Sequence, residues 1–384
     1  MVAIVEGHGA WREEEAMLLL GPSHHTLSSE DMEVLERTKW KKGREEIMYW
    51  GLSYGSVLGQ TFAAMHPERV GRMVLDGVLD PDDYYSGAWL KNLQDSDMII
   101  TKFCEYCFEA GPSLCPLSTG NSGKDVEARL ERIMMALKTS PLPVPSEGTR
   151  GPEVVTYGDM FLMMLTAMYF PYVAAEPFFA LLADAERGDG TKIAVMKQRN
   201  LHPATLSPHC QRDGHFSEAC TSGSYLSGFG AYQAISCMDY GGGSNFTKEE
   251  FSEYYKELRK QGKWISTSWA RNKLSCLGFS PSAAAWRFEG PVSRVTSHPM
   301  LIIGNTHDTV TPIGNNPSLC TGRVLRTYFQ TGELPENGTI CDPEYKPFIG
   351  CLKKDENGDC RKRTGEEEEE EMWSAMEAIT NVWP

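Results

Sequence analysis

The amino-acid sequence predicts an α/β fold in which a mostly parallel sheet is connected by crossover helices. Three consecutive segments carry this prediction: the apolar strand pattern EIMYWGLS (46–53), the helix-forming pattern YGSVLGQTFAAMHPE (54–68) and a second strand pattern, GRMVLDGV (71–78). A last strand is predicted at PMLIIGNTHD (299–308). Strands that alternate with helices favour a parallel sheet, because two parallel strands need a crossover connection.

Two segments before residue 46 predict further elements of this core. VAIVE (2–6) is a short run of apolar and β-branched residues, which predicts a buried strand. SEDMEVLERTKW (29–40) begins with a serine and carries acidic residues in its first turn, so it predicts a helix with a serine N-cap.

The pattern changes between Asp80 and about residue 290, where helical stretches rich in methionine and aromatic residues are separated by Gly, Ser and Pro loops. Few strand signals occur there, so this part is predicted to be an insertion that forms a helical lid. The expected organisation is a split core (1–81 and 291–350), a lid (82–290) and an acidic, flexible tail (351–384) that contains an unbroken run of six glutamates.

One apolar segment, FLMMLTAMYFPYVAAEPFFALLA (161–183), resembles a membrane span in composition. Pro171, Glu176 and Pro177 interrupt it, and the uncharged stretch before the glutamate is shorter than the ~20 residues that a bilayer requires. The segment therefore predicts two buried helices joined at a proline, and no stable membrane span is expected.

Composition and charge limit the classes of partner. The chain has 384 residues, 41% of them hydrophobic and 23% charged, which is ordinary for a soluble globular protein. Its formal net charge of -15 argues against nucleic acid as a partner, because phosphate binding requires clustered Lys and Arg.

Eleven cysteines indicate an oxidising compartment. Cysteines that are close in the sequence fit disulfides that close loops: Cys104, Cys107 and Cys115; Cys210 and Cys220; Cys320 and Cys341; and Cys351 and Cys360. A zinc site at Cys104 and Cys107 would need a second pair of ligands at zinc-finger spacing, which is missing, so no metal is expected. Glycosylation triplets at Asn245 and Asn337 also agree with export.

The first residues, MVAIVEGHGAWREEE, do not have the pattern of a secretory signal. Either the protein stays inside the cell or its true N-terminus precedes this sequence, and its location is left open.

A candidate nucleophile lies in GLSYG (51–55). Ser53 falls between a predicted strand and a predicted helix, which is the context that a G-x-S-x-G nucleophile elbow requires. We expect a strained turn that exposes the Ser53 hydroxyl, with Gly51 and Gly55 avoiding Cβ clashes. The backbone N–H of Tyr54, at the start of the helix, is then placed to receive a developing oxyanion. A chance match in an ordinary turn is the alternative interpretation.

The acid of such a site follows the serine in the chain order Ser, Asp or Glu, His. Asp308 ends the last predicted strand and is the first candidate, since it would orient an imidazole and stabilise its charged form. Asp76, which ends the strand GRMVLDGV, is the reserve candidate.

Several segments resemble one enzyme family. YWGLSYGSVLGQTFAAMHPERVGRMVLDGVLDPDDYY (49–85), HPMLIIGNTHDTVTP (298–312), the segment 317–348 that begins PSLC, and AISCMDY (234–240) are similar to the fungal and bacterial tripeptidyl-aminopeptidase-like α/β-hydrolases, relatives of proline iminopeptidase. The similarity covers most of residues 30–350. It implies an α/β-hydrolase fold with a lid, and a secreted, cofactor-free serine hydrolase that acts on small peptides, amides or esters.

The chain departs from the family's pattern at the catalytic histidine. None of its nine histidines lies beyond Asp308, and only 11 residues separate Asp308 from Cys320, too few for a further strand of ~5 residues with its connections. His298 is expected at the wrong end of the strand that leads to Asp308. His307 would face away from Asp308 if both were strand residues, and His209 and His215 are expected in a lid loop.

The amino-terminal part departs from the family's pattern as well. The family's glycine-rich oxyanion loop has no counterpart except Gly7, His8 and Gly9, which could form a reduced loop or an unrelated turn.

Two hypotheses remain: a serine hydrolase in which Ser53 is the nucleophile and Asp308 the acid, or a catalytically impaired scaffold or shortened gene product. In the first hypothesis, DPDDYY (80–85) is either an anchor for a substrate's free amine or a capped turn.

Overall fold

The computed structural model describes eight parts of the chain, which are residues 1–20, 27–148, 151–201, 212, 228–240, 245–279, 287–307 and 318–351. The chain divides into two compact units. The first, here called the sheet unit, comprises Met1–Asp82, Phe288–Asn305 and Cys320–Cys341. The second, called the helical unit, comprises Asp83–Arg287, Thr306–Leu319 and Asp342–Pro384.

The described elements are mostly helical. The helices are α1 (Val2–Leu20), α2 (Ser29–Thr38), α3 (Tyr54–Met65), α4 (Pro81–Tyr85), α5 (Ser96–Ala110), α6 (Gly123–Thr139), α7 (Tyr157–Tyr169), α8 (Pro171–Glu186), α9 (Thr191–Leu201), α10 (Gly228–Asp239), α11 (Lys248–Gln261), α12 (Ser266–Ser275) and α13 (Leu319–Thr331), with a 3₁₀ turn at Pro67–Arg69. The strands are β1 (Ile47–Leu52), β2 (Val70–Asp76), β3 (Leu142–Val144), β4 (Glu153–Val155), β5 (Leu301–Ile303), β6 (Tyr345–Lys346) and β7 (Gly350–Cys351).

The sheet unit contains a three-stranded parallel sheet in the order β1-β2-β5. The carboxyl ends of the strands are in register, since Leu52 pairs with Asp76 and Asp76 pairs with Ile303. The predicted strands at 46–53 and 71–78 and the helix between them are confirmed as β1, β2 and α3. A helix-rich chain with a small parallel sheet is compatible with the predicted α/β class.

The core of this unit lies between the sheet and its helices. Met1, Val2 and Val5 of the amino-terminal segment pack against this core. The core consists of six buried residues: Ile47, Phe62, Ala63, Val70, Met73 and Leu75. Tyr328 of α13 is also fully buried, and its hydroxyl donates to the carbonyl oxygen of Pro299 (2.6 Å) and accepts from the backbone N–H of Met73 (3.0 Å).

The prediction of a strand at residues 2–6 is wrong, because these residues begin α1. Val2 and Val5 lie one helical turn apart and contact the core, and Gly9, one further turn along, is buried. Tertiary packing on this face therefore overrides the β-propensity of the short apolar run.

The glutamate at position 6 ties α1 to the rest of the sheet unit. Its carboxylate accepts hydrogen bonds from Trp40 Nε1 (2.9 Å), from the backbone N–H of Gly43 (3.0 Å) and of Glu45 (3.3 Å), and from Arg69. These bonds, led by the one from Gly43, lower the pKa of Glu6 to about 2.

Three further predicted helices are present, and one of them differs from expectation in a detail. Helix α2 covers most of 29–40, and its N-cap is Ser28 rather than Ser29, with Ser28 and Asp31 forming a capping box. Helices α7 and α8 confirm the prediction of two helices joined at Pro171, which occupies the first turn of α8. Within the described residues, no helix is long and apolar enough to cross a membrane.

Disulfides are present in both units, as the cysteine content predicts. Cys320–Cys341 closes a loop in the sheet unit, and Cys107–Cys115 closes one in the helical unit. The third bridge, Cys237–Cys276, joins residues 39 positions apart, which the local grouping of cysteines did not indicate. The pair Cys210 and Cys220, and Cys360, lie outside the described residues.

Candidate active site

Ser53 occupies the one-residue connection between β1 and α3. Its backbone has φ 53° and ψ −119°, and it is one of three non-glycine residues with a positive φ in the described part of the chain. Residues other than glycine rarely adopt this conformation, because their Cβ is crowded against the backbone. The turn is therefore strained. The side chain is partly exposed. The sequence context predicted a strained turn at this position, and the backbone has one.

Glycines on both sides of the serine allow β1 and α3 to approach closely. A Cβ at Gly51 would lie 2.4 Å from the carbonyl oxygen of Gly55 and 2.5 Å from Cε1 of Tyr49. The Tyr49 hydroxyl donates to that same carbonyl at 2.7 Å. Glycine at position 51 is therefore a steric requirement of the turn.

Hydrogen bonds hold the backbone of the turn. The N–H of Ser53 donates to the carbonyl oxygen of Asp76 at 3.0 Å, and the carbonyl oxygen of Ser53 accepts from the N–H (2.8 Å) and the hydroxyl (2.6 Å) of Ser56. The Ser56 hydroxyl also accepts from the N–H of Leu79 at 3.0 Å. The sequence interpretation missed these hydrogen bonds of Ser56, although a serine three residues along a helix from an N-cap is a recognisable signal.

Tyr54 is the first residue of α3. Its N–H belongs to the first turn of this helix. The positive end of the helix dipole lies at this terminus, and the first turn of α3 contains no acidic residue. The terminus is chemically suited to an oxyanion.

Asp76 lies next to this turn, at the carboxyl end of the central strand. Its side chain is buried, and Oδ2 accepts a long hydrogen bond (3.4 Å) from Trp50 Nε1. Oδ1 has no hydrogen-bond partner within the described residues. Burial raises the pKa of Asp76 to about 6, with the Trp50 hydrogen bond opposing the shift.

The strand that leads to Asp308 is shorter than predicted. β5 covers only Leu301–Ile303 because its pairing with β2 stops where β2 itself ends, at Asp76. Asp308 lies outside the described residues. Residues 304–307 are not strand, so the alternation argument against His307 does not apply. The ring atom Nδ1 of His307 is buried and without a partner in the described part of the chain.

The described histidines of the sheet unit lie away from the carboxyl edge of the sheet. Nε2 of His298 is 3.7 Å from Oε2 of Glu46, which precedes β1, and the strand separates Glu46 from Ser53 by about 20 Å. His66 caps the carboxyl end of α3, about 18 Å from the Ser53 end. His8 lies in α1 beside Gly9, where an added Cβ would meet the Glu45 side chain.

The suggestion of a reduced oxyanion loop at Gly7, His8 and Gly9 is wrong. All three residues lie within α1, and a Cβ at Gly9 would meet Glu45 Cδ at 2.6 Å. The glycine there permits close packing of a helix and is not part of a turn.

The acidic segment 80–85 contains a carboxylate with a structural role, that of Asp83, the first residue of the helical unit. Asp83 is buried, and its oxygens accept from the N–H groups of Leu90 (3.0 and 2.9 Å) and Lys91 (3.1 Å). This favours the capped turn over an anchor for a substrate amine. Across the described parts of both units, no group of three or more His, Cys, Asp or Glu side chains is arranged to hold a metal ion.

Comparison with known proteins gives a distant relationship. No protein-family model matches the chain. The chain is similar to Serine protease Hip1 of Mycobacterium bovis and of two strains of Mycobacterium tuberculosis, with 25% identity over 198 residues in each case. The match covers 51% of this chain and 34% of each relative, so it spans about a third of the length of these relatives. This weak similarity supports a distant relationship to serine hydrolases.

Proposed function

We propose that this protein is a serine hydrolase with an α/β-hydrolase core, in which Ser53 is the nucleophile. One observation carries the proposal: Ser53 has φ 53° in a one-residue turn between a parallel strand and a helix, where Gly51 cannot carry a Cβ. A strained serine at the carboxyl edge of a parallel sheet is the geometry of a nucleophile elbow. The distant similarity to a serine protease supports a peptidase-like activity.

In this proposal the reaction needs no cofactor. The Ser53 Oγ forms a bond to the carbonyl carbon of the substrate while the C=O π electrons move to the oxygen, and the hydroxyl proton passes to a base. The Tyr54 N–H stabilises the oxyanion, and the leaving amine or alcohol takes a proton as its bond to carbon breaks. Water then releases the acyl group from Ser53. Asp308 is the proposed acid that orients the base.

The substrate class follows from the proposed lid. If residues 82–290 form a lid over a hydrolase core, entry is restricted to small peptides, amides or esters, and removal of tripeptides from amino termini is the most specific form of the proposal. Unspecific cleavage of a folded protein would argue against a lid. Profiling with aminoacyl, tripeptidyl and ester chromogenic substrates tests the class.

A second candidate function is a catalytically impaired scaffold. It is favoured by the positions of the histidines: none follows Asp308 in the sequence, and those described in the sheet unit lie away from Ser53. Without a base, the oxyanion donors and binding alone leave a residual acceleration of ~10³ to 10⁴ over water, so ordinary substrates would show little turnover.

A fluorophosphonate probe separates the two candidates. The serine Oγ forms a bond to phosphorus, fluoride leaves, and the hydroxyl proton goes to the base, so labelling reports an activated serine. The enzyme hypothesis expects labelling of the full chain that is lost in Ser53→Ala and retained in the matched variant Ser29→Ala, which changes an exposed serine in α2. Absence of labelling in the wild type supports the scaffold, and labelling that persists in Ser53→Ala excludes Ser53 as the nucleophile.

The same assay assigns the base. Nine variants, each replacing one histidine by glutamine, are compared for labelling rate and thermal stability. A single folded variant with a strongly reduced rate identifies the base, and nine variants with the wild-type rate would show that no histidine acts.

We also propose that the protein is exported and N-glycosylated. Asn245 and Asn337 are both exposed in the structure, as glycosylation acceptors must be. A mobility shift on treatment with an N-glycosidase, absent in the double variant Asn245→Gln/Asn337→Gln, is expected for the protein produced in a secreting host.

A further inference from the structure

Asp76 lies in immediate contact with the Ser53 turn. It is the last residue of the central strand, pairs with Leu52 on one side and Ile303 on the other, and accepts the Ser53 N–H with its carbonyl oxygen at 3.0 Å. The carboxyl ends of parallel strands are where sites form in α/β sheets. Asp76 is thus at the edge of the sheet where the proposed chemistry takes place.

The Asp76 carboxylate is poorly paired for a buried group. The residue is 4% exposed, Oδ2 has only the long bond from Trp50, and Oδ1 has no partner among the described residues. Asp83 provides a contrast, because it is 6% exposed but accepts three hydrogen-bond contacts from two backbone N–H groups. Asp83 therefore has the pairing of a structural carboxylate, and Asp76 does not.

This arrangement destabilises the folded chain at neutral pH. Because burial raises the pKa of Asp76 to about 6, the side chain is largely ionised at pH 7, where a buried charge with one weak hydrogen bond costs free energy. A buried, poorly paired carboxylate at a candidate site points to a role in function.

We propose that Asp76 is a positioning residue of the Ser53 site, whose Oδ1 accepts the N–H of the catalytic base and stabilises its cation. The inference rests on the proposed function. When the base takes the proton of Ser53 it becomes positively charged, and a carboxylate already buried nearby stabilises that charge without itself taking the proton. Asp76 would then act together with Asp308 or in its place.

The experiment measures the rate of fluorophosphonate labelling of the full chain between about pH 5 and pH 9, together with the thermal midpoint. Asp76→Asn is expected to label about 100-fold more slowly than the wild type above pH 6, the scale of a general-base contribution, while its thermal midpoint at pH 8 is equal or higher. Loss of activity with a gain of stability is a signature that a purely structural residue would not give.

Two matched variants define the control. Trp50→Phe removes the only donor to the Asp76 carboxylate among the described residues, and Asp83→Asn changes a buried carboxylate that has backbone partners. Both are expected to label within about 3-fold of the wild type when folded. Asp76→Glu keeps the negative charge but places it one methylene farther from the backbone. Its labelling rate is expected to lie between those of the wild type and Asp76→Asn.

Each remaining outcome has a clear consequence. A wild-type rate in folded Asp76→Asn overturns the inference and leaves the proposed function intact. If Trp50→Phe is slowed as much as Asp76→Asn, Asp76 serves only to hold Trp50 and the inference is wrong. If Asp76→Asn does not fold, Asp76→Glu decides in the same way: a slowed, folded variant supports the inference and a wild-type rate overturns it. Wild-type protein that does not label, or Ser53→Ala that does, refutes the proposed function itself.

Discussion

The backbone N–H of Ser53 donates to the carbonyl oxygen of Asp76 at 3.0 Å, so the candidate nucleophile, which follows β1, lies beside the buried residue that ends β2. The two residues are 23 positions apart in the sequence, yet the register of β1 on β2 makes them adjacent. Strand pairing thus brings together the polar groups on which both proposals depend.

Replacement of Gly51 should disrupt the turn. The Cβ in Gly51→Ala would lie 2.4 Å from the Gly55 carbonyl oxygen, so strand and helix must separate, and we expect a loss of about 3 kcal/mol in the free energy of unfolding. Urea unfolding followed by circular dichroism measures it. Gly7→Ala is the matched control: this helical glycine has nothing within 4 Å of its Cβ position, so the variant should gain about 0.5 to 1 kcal/mol. Equal stability of Gly51→Ala and wild type would contradict the packing described.

Substitutions of Ser53 should reveal the strain of its backbone. At φ 53°, glycine avoids the Cβ penalty that alanine keeps, so Ser53→Gly is expected to be about 1 kcal/mol more stable than Ser53→Ala. The same pair of substitutions at Ser29, in the first turn of α2, should give the opposite order, because glycine weakens a helix. Thermal unfolding of the four variants checks the prediction, and the same order at both sites would remove the evidence for strain.

The pKa of Asp76 predicts a stability difference that depends on pH. The folded pKa of about 6 is higher than the ordinary value of 3.8, so the folded state binds the proton more tightly and loses stability as pH rises between these values. Asp76→Asn removes this titration. The free energy of unfolding of Asp76→Asn, relative to that of the wild type, should therefore rise by up to about 3 kcal/mol between pH 4 and pH 7. Above pH 7 the difference should stay constant. Urea unfolding at several pH values measures the difference, and a pH-independent difference would show that the carboxyl is not perturbed.

The lowered pKa of Glu6 predicts the opposite dependence of folding stability on pH. Its pKa is lowered to about 2, chiefly by the N–H of Gly43, so its contribution to stability is fully present above the ordinary value of 4.5 and is lost as pH falls toward 2. Glu6→Gln should lower the thermal midpoint at pH 7, and its deficit relative to the wild type should shrink below about pH 4.5. Glu14→Gln, an exposed change in the same helix, should match the wild type throughout. A constant deficit for Glu6→Gln at all pH values would contradict this role.

The strand, turn and helix at 46–78 could be predicted because their signals are local. Alternating apolar residues, a Gly-x-Ser-x-Gly junction and a helix-compatible run each occupy a few consecutive positions. Two proline-joined helices at 157–186 were predictable for the same reason. The amino-terminal helix was not, because the four apolar residues at 2–5 favour a strand by propensity, whereas Val2 and Val5 pack as helix residues against the buried core of the sheet unit.

The sequence by itself determined that Ser53 lies at a strand-to-helix junction between glycines, because the residue types that a strained turn requires are consecutive in the chain. Only the tertiary structure decided that Asp76 is buried beside it, with one carboxylate oxygen unpaired among the described residues, and that β5 ends at Ile303. Burial and strand register depend on residues tens to hundreds of positions apart. Their consequences for charge and pairing become visible only when the sheet is assembled.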